Sequence, residues 1–290
     1  MTAATLRLDR VPPTVLLLLA VISIQLGSAL AITLFPIYGP LGVLFLRLAI
    51  GSAFLCLIYR NALGAAIRKA PLGIAGLGLV MAAQSGLHYE ALSRLPLGIA
   101  VSIEFLGPLA LAMATSRRLQ HLLCVLMAAA GIALLTPAIG TTLDPVGVAF
   151  AAGAASAWVG YILASQRLGR TLEGGVAVGI GMGFAALLVF PIAGIEAIAQ
   201  LAAHPATLLS IVGIAVFSAA IPWLFEYMAL KSLPAWKFGV LVSLEPVVAT
   251  LVGLVALAEA VGWRAWIAIL LITLASIGVA LSGRRKAQRG

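Results

Sequence analysis

Charge is what this sequence has least of. Asp, Glu, Lys and Arg make up 9% of its 290 residues and 63% are hydrophobic, against roughly 25% and 45–50% in an ordinary soluble domain. That leaves too little polar surface to cover a water-soluble globule. Cysteine is scarce as well. Cys56 and Cys124 both fall inside apolar runs, which excludes a disulfide framework and offers no metal-ligand spacing. Of the three histidines only His88 lies well inside an apolar run, and neither HExxH nor GxSxG occurs. An intramembrane hydrolase, in which Ser, His and Glu at depth would be catalysts, is therefore the weaker reading. There is no phosphate-binding glycine loop, which argues against ATP coupling within the chain. Neither a cofactor nor a metal is expected.

What the sequence does have is apolar runs of bilayer-crossing length, about 17 to 25 residues each. They fall near 13–33, 41–59, 71–92, 96–115, 121–138, 145–165, 174–195, 206–230, 236–257 and 263–282. Pro-marked breaks such as Phe35 to Pro40 and Arg94 to Pro96 have room only for tight reversals. The expected fold class is an all-α polytopic membrane protein of ten transmembrane helices. The first run follows Arg7 and Arg10 and contains Ala29-Leu30-Ala31, but it is longer than a signal-peptide core and is expected to remain as a span.

A net charge of +9 would point to nucleic acid in a soluble protein. Here the bases lie between apolar runs, so orientation in a membrane explains them better and no nucleic-acid partner is expected. With a cytoplasmic N-terminus, 15 of the 18 Lys and Arg fall on the inner side, only Arg94 and Arg264 on the outer side, and Arg47 inside a span. This asymmetry predicts that both termini are cytoplasmic.

An internal repeat accompanies the runs. Shifting the chain by 138 residues lays the segment from His88 to Pro96 over that from Glu226 to Pro234 and carries Pro108 onto Pro246, with seven identities in the 25 positions from Gln84 to Pro108. A shift of 133 matches Gly27 to Gly160 and Ala31 to Ala164. Two halves, 1–139 and 140–290, each hold five spans. Five is odd, so the repeats are expected to be inverted across the bilayer, an arrangement used by alternating-access carriers.

The run from Ser23 to Gly27 through Leu34-Phe35-Pro36, the segment from Leu95 to Val101 with Glu104 and Gly107-Pro108, and Ser243-Leu244-Glu245-Pro246 followed by Glu259 resemble the drug/metabolite transporter superfamily. Within it the likeness is to the EamA-type branch and its threonine/homoserine exporters. The resemblance implies a bacterial inner-membrane exporter of amino acids with a central cavity between its halves, surrounded by lipid. Aromatic amino acids or other small metabolites are the alternative cargo, and a proton is the expected coupling ion.

Five ionisable residues sit within spans: Arg47, Glu90, Glu104, Glu226 and Glu245. Each costs on the order of 2.5 to 3.5 kcal/mol at the centre of an isolated span, so an interior or wet location is required. They form either a structural network or a cavity, and Glu104 and Glu226 are expected to face a cavity. Gln84 and His88, four apart, share one helix face, as do Ser218, Pro222 and Glu226; Trp158, Tyr161 and Ser165 make a third stripe. An amino-acid cargo needs acceptors for its ammonium, here Glu104 or Glu226, and donors for its carboxylate, here Gln84, His88 or Tyr89. Trp158, Tyr161 and Tyr227 are expected to offer aromatic faces, whereas Trp223, Trp236, Trp263 and Trp266 are assigned to packing or the interfacial belt. Pro108 and Pro246 are expected to interrupt their helices near the centre. Gly27, Gly160, Gly179 and Gly183 are assigned to close helix packing.

Overall fold

The computed structural model describes residues 12–114, 144–169, 171–172, 174–232 and 241–287, with six residues between 123 and 134. All but those six residues of the expected fifth span near 121–138, the N-terminal arginines and the 234–236 part of the repeat lie outside the described residues.

Among the described residues the regular structure is helical. The first helix, α1, covers Pro13–Ile58 but contains one residue of non-helical backbone, Gly39, at φ 67° and ψ 164°. Here the chain doubles back. Gly27 packs against Ser218 and Arg47 donates to the Ser218 carbonyl, although a straight helix would hold positions 20 residues apart about 30 Å from each other. The reversal predicted over Phe35 to Pro40 is thus a single glycine. Helical turns run up to it through Pro36 and resume at Pro40, whose fixed φ suits a helix start. Only glycine adopts such a backbone conformation cheaply.

The chain continues through α2, Leu63–Lys69, into α3, Pro71–Leu92, with a 99° bend between them. Next come α4, Leu97–Glu104, and α5, Leu106–Ala114, separated at Phe105. Pro108 cannot donate to the Glu104 carbonyl and its ring crowds that turn, so the fourth span is two short helices. In the second half α6 covers Pro145–Leu168 and α7 Gly174–Val189, which runs through a π turn, Phe190–Gly194, into α8, Ile195–Ala203. A second π turn, Val216–Ala220, joins α9, Leu208–Ala215, to α10, Ile221–Ser232. Finally α11 covers Glu245–Ala256 and α12 Trp263–Ala287. A turn at 243–244 precedes α11, just ahead of Pro246, as the Phe105 break lies just ahead of Pro108.

Contacts between loops sort the helix ends into two groups. Tyr38 hydroxyl meets Thr207 Oγ1, Arg94 meets Asp144 at 3.1 Å, and the Leu97 N–H reaches both Glu259 oxygens at 3.1 Å. The opposite ends meet where Lys69 Nζ donates to the Thr171 carbonyl at 2.8 Å. Antiparallel crossing of a membrane produces this alternation. Asp144 also caps α6 by accepting from the Val146 N–H at 2.9 Å, and the Arg94 guanidinium beside it holds its carboxyl below the usual carboxylate range.

Little hydrophobic effect drives helices together inside lipid, so close backbone approach through small residues takes its place. A Cβ on Gly27 would overlap Ser218, and one on Gly98 in α4 would overlap Thr250 in α11. Gly183 likewise meets Ser52, whose Oγ donates to the Gly179 carbonyl at 2.7 Å. Replacing Gly39 by Ala is expected to cost about 1–3 kcal/mol of backbone strain. Gly76→Ala, in a helix and with nothing near its new methyl, should be neutral or stabilising. Thermal unfolding of the purified protein in detergent checks the pair; equal midpoints would refute a strained reversal.

Candidate functional site

The site is built on a carbonyl that proline leaves without a partner. Pro222 has no N–H to offer Ser218, one helical turn earlier. The helix widens into the π turn at Val216–Ala220, and the Ser218 carbonyl accepts from Arg47 Nη2 at 2.9 Å instead. The neighbouring Phe217 carbonyl accepts from Ser23 Oγ. Arg47 is 4% exposed. Its Nη1 donates to the Tyr89 hydroxyl at 2.8 Å, and its guanidinium lies 5.3 Å from the centre of the Tyr89 ring and 5.5 Å from that of Trp223. Aromatic faces at this range favour a cation.

A second cluster joins α3 to α4. Gln84 and His88 lie one turn apart on the same face of α3, and both reach Glu104 at the end of α4. Gln84 Nε2 donates to one carboxylate oxygen, while His88 Nδ1 lies 2.6 Å from the other. Both carboxylate oxygens are thereby occupied from a single helix face.

A cavity of about 60 Å³ lies between these clusters, room for about four to six waters at 10–15 Å³ each. It draws on helices from both halves of the chain. Of the residues expected to bind cargo, Gln84, His88, Glu104, Trp158, Tyr161 and Glu226 line it. Trp158 is held edge-on by Phe105 at 5.6 Å, and Tyr161 faces Trp223 at 6.2 Å. Two of the expected residues are turned away. Tyr89 is fully buried behind Arg47 and serves as its acceptor, and the Tyr227 hydroxyl donates to the Leu172 carbonyl at 3.1 Å. Neighbours in sequence point about 100° apart on a helix, and here Tyr89 and Tyr227 are turned from the sides that His88 and Glu226 present to the cavity, towards Arg47 and the Leu172 carbonyl. Pro108 and Pro246 do not line the cavity; each sits just beyond the break in its helix.

The lining also holds residues that the sequence pattern did not assign to it: Gln25, Ser28, Arg47, Trp223 and Glu245. Trp223, expected in packing or the belt, is a wall of the cavity. A signal was available, because Trp223 lies three residues before Glu226 on the same helix face. Among the described residues Glu226 and Glu245 accept no hydrogen bond, and Gln25 Oε1, Ser28 Oγ and Arg47 Nε are buried without a partner. Three carboxylates and one guanidinium therefore face a small space whose free polar atoms are mainly acceptors.

Residues 145–281 match the model of the EamA-like transporter family. The chain is 36% identical over 291 residues to the threonine/homoserine exporter RhtA of Salmonella typhimurium (strain LT2), covering 99% of this chain and 98% of the relative. It is 36% identical over 279 residues to the threonine/homoserine exporter RhtA of Escherichia coli (strain K12), covering 95% and 94%. A solved crystal structure shares the fold with a TM-score of 0.62 at 23% identity, over 94% of this chain and 98% of the other.

The Glu104 cluster makes a direct prediction. Glu104→Ala leaves the Gln84 and His88 donors without an acceptor and is expected to lower stability by roughly 1–3 kcal/mol. Glu104→Gln keeps one acceptor and should cost less. Chemical denaturation followed by tryptophan fluorescence tests the order of the two variants.

Proposed function

The chain belongs to the EamA-like transporter family of the drug/metabolite transporter superfamily, and from that premise we propose that it exports small amino acids such as threonine and homoserine across the bacterial inner membrane. The observation that carries this reading is the cavity between the two clusters, which offers the unbonded carboxylates of Glu226 and Glu245 beside the faces of Trp158 and Tyr161. An ammonium entering from water exchanges its hydration for charged acceptors and aromatic faces. The small volume suits a threonine-sized cargo better than an indole ring, which needs far more space. The exporter names of the relatives support the same cargo class.

Alternating access is the transport mode this reading implies. Ten spans in two inverted halves give two near-equal arrangements around one central site. Support comes from the matching breaks ahead of Pro108 and Pro246, each able to act as a joint within its half. The end bearing Arg60, Arg68, Lys69 and Arg167 faces the cytoplasm, as do both termini. In a background without Cys56 and Cys124, an impermeant thiol reagent added outside whole cells should label Thr142→Cys and spare Gln288→Cys. The reverse pattern would invert the topology.

Coupling to protons uses the same carboxylates. A charged glutamate meets the cargo ammonium, and a protonated one lets the empty carrier reorient, so cargo and proton compete for one group and antiport needs no second site. Glu226 is better suited than Glu104, whose oxygens already accept from Gln84 and His88. In proteoliposomes, labelled threonine should show counterflow, and an inward proton gradient should accelerate its efflux. Glu226→Gln should abolish the acceleration while leaving part of the counterflow. If the double variant with Glu104→Gln keeps its full dependence on the gradient, these carboxylates are structural and do not carry the coupling; a wild-type protein indifferent to the gradient would be a facilitator.

A further inference from the structure

We infer that Arg47 is the receptor for the carboxylate of the cargo, which makes the site selective for zwitterionic α-amino acids over their uncharged or purely cationic analogues. The inference rests on the exporter reading above and extends it to a residue whose charge that reading leaves unused. Arg47 is buried on the cavity wall. Among the described residues no carboxylate lies within 4 Å of it, since the ion pairs there are His88 with Glu104 and Arg94 with Asp144. A buried guanidinium normally has a counter-charge, because desolvating it alone is costly.

Its mounting suits an anion. One N–H is fixed on the Ser218 carbonyl and another on the Tyr89 hydroxyl, while Nε has no partner. Two anchored hydrogen bonds and two aromatic faces set the plane of the guanidinium before any cargo arrives, and a planar fork matches a carboxylate better than a single point charge does. The other donors once expected to take the carboxylate, Gln84 and His88, are already committed to Glu104. Arg47 on one side with Glu226 and Glu245 also lining the space gives the cavity a cation and free acceptors together, the complement of a zwitterion.

If Arg47 served only to satisfy the Ser218 carbonyl, replacing it would alter stability and leave cargo selectivity unchanged. The test uses the full-length protein in proteoliposomes, with counterflow of labelled threonine competed by unlabelled threonine or by threonine amide, which keeps the shape but not the negative charge. For the wild-type protein threonine should compete about 10- to 100-fold better than the amide, the worth of one hydrogen-bonded charge. In Arg47→Gln this ratio should fall towards one, and Arg47→Lys should lie between. A folded Arg47→Gln protein with the wild-type ratio would overturn the inference and leave the exporter reading standing. A wild-type protein that exchanges threonine without preferring it to the amide would do the same. Failure of the wild-type protein to exchange any amino acid would overturn both. Should Arg47→Gln not fold, Tyr89→Phe decides: it removes only the hydroxyl that steadies Nη1, so the ratio should drop partway, and an unchanged ratio counts against the assignment.

Discussion

The contact between Arg47 and the Ser218 carbonyl holds the centre of this molecule together. Inside a bilayer no water is available to satisfy a backbone group that has lost its partner. Pro222 creates one such group, the π turn exposes it, and a guanidinium 171 positions away in sequence reaches it. The bond ties the second arm of α1 to the junction of α9 and α10, and through Tyr89 it extends to α3. The walls of the cavity take their places around that junction. Without the proline the carbonyl would have its ordinary helical partner, and the arginine would lack a reason to be there.

Much of the arrangement was legible in the sequence because helical spacing is a local property. Gln84 and His88, or Trp158 and Tyr161, share a face whatever the helix packs against, and their polar character in an apolar run marks that face as interior. The long spans were equally plain from hydropathy. Less visible was anything that depends on how helices are bent. The Gly39 reversal fits into one residue, where composition suggested six. Nothing in the spacing of Arg47 shows that it will meet Ser218, because that meeting depends on the reversal and on a π turn that shifts the register of the eighth span. The misplacement of Tyr89 and Tyr227 has a simpler origin. Each stands next to a cavity residue in sequence but points about 100° round the helix, towards partners on other helices that spacing alone does not reveal.

Proline acts throughout by subtraction. Pro222 removes a donor and so frees an acceptor for Arg47; Pro108 and Pro246 likewise lack the N–H that a carbonyl one turn ahead of each would accept, and their helices are broken at corresponding places. Glycine and serine perform the matching task between helices, where Gly27 against Ser218 and Gly98 against Thr250 bring backbones closer than any larger residue would allow. Lipid supplies little force for such contacts, so their closeness makes up for the lack of a solvent-driven core.

The polar ties between loops at one end of the bundle have a further consequence. Tyr38 with Thr207, Arg94 with Asp144, and the Leu97 N–H with Glu259 are fastenings that water can replace one for one, since each lies at the end of a helix. Parting those loops would exchange protein hydrogen bonds for hydration of similar strength, whereas parting an apolar seal would create bare surface. A seam of this kind is held by geometry and not by depth of binding, and water is able to stand in for every fastening in it.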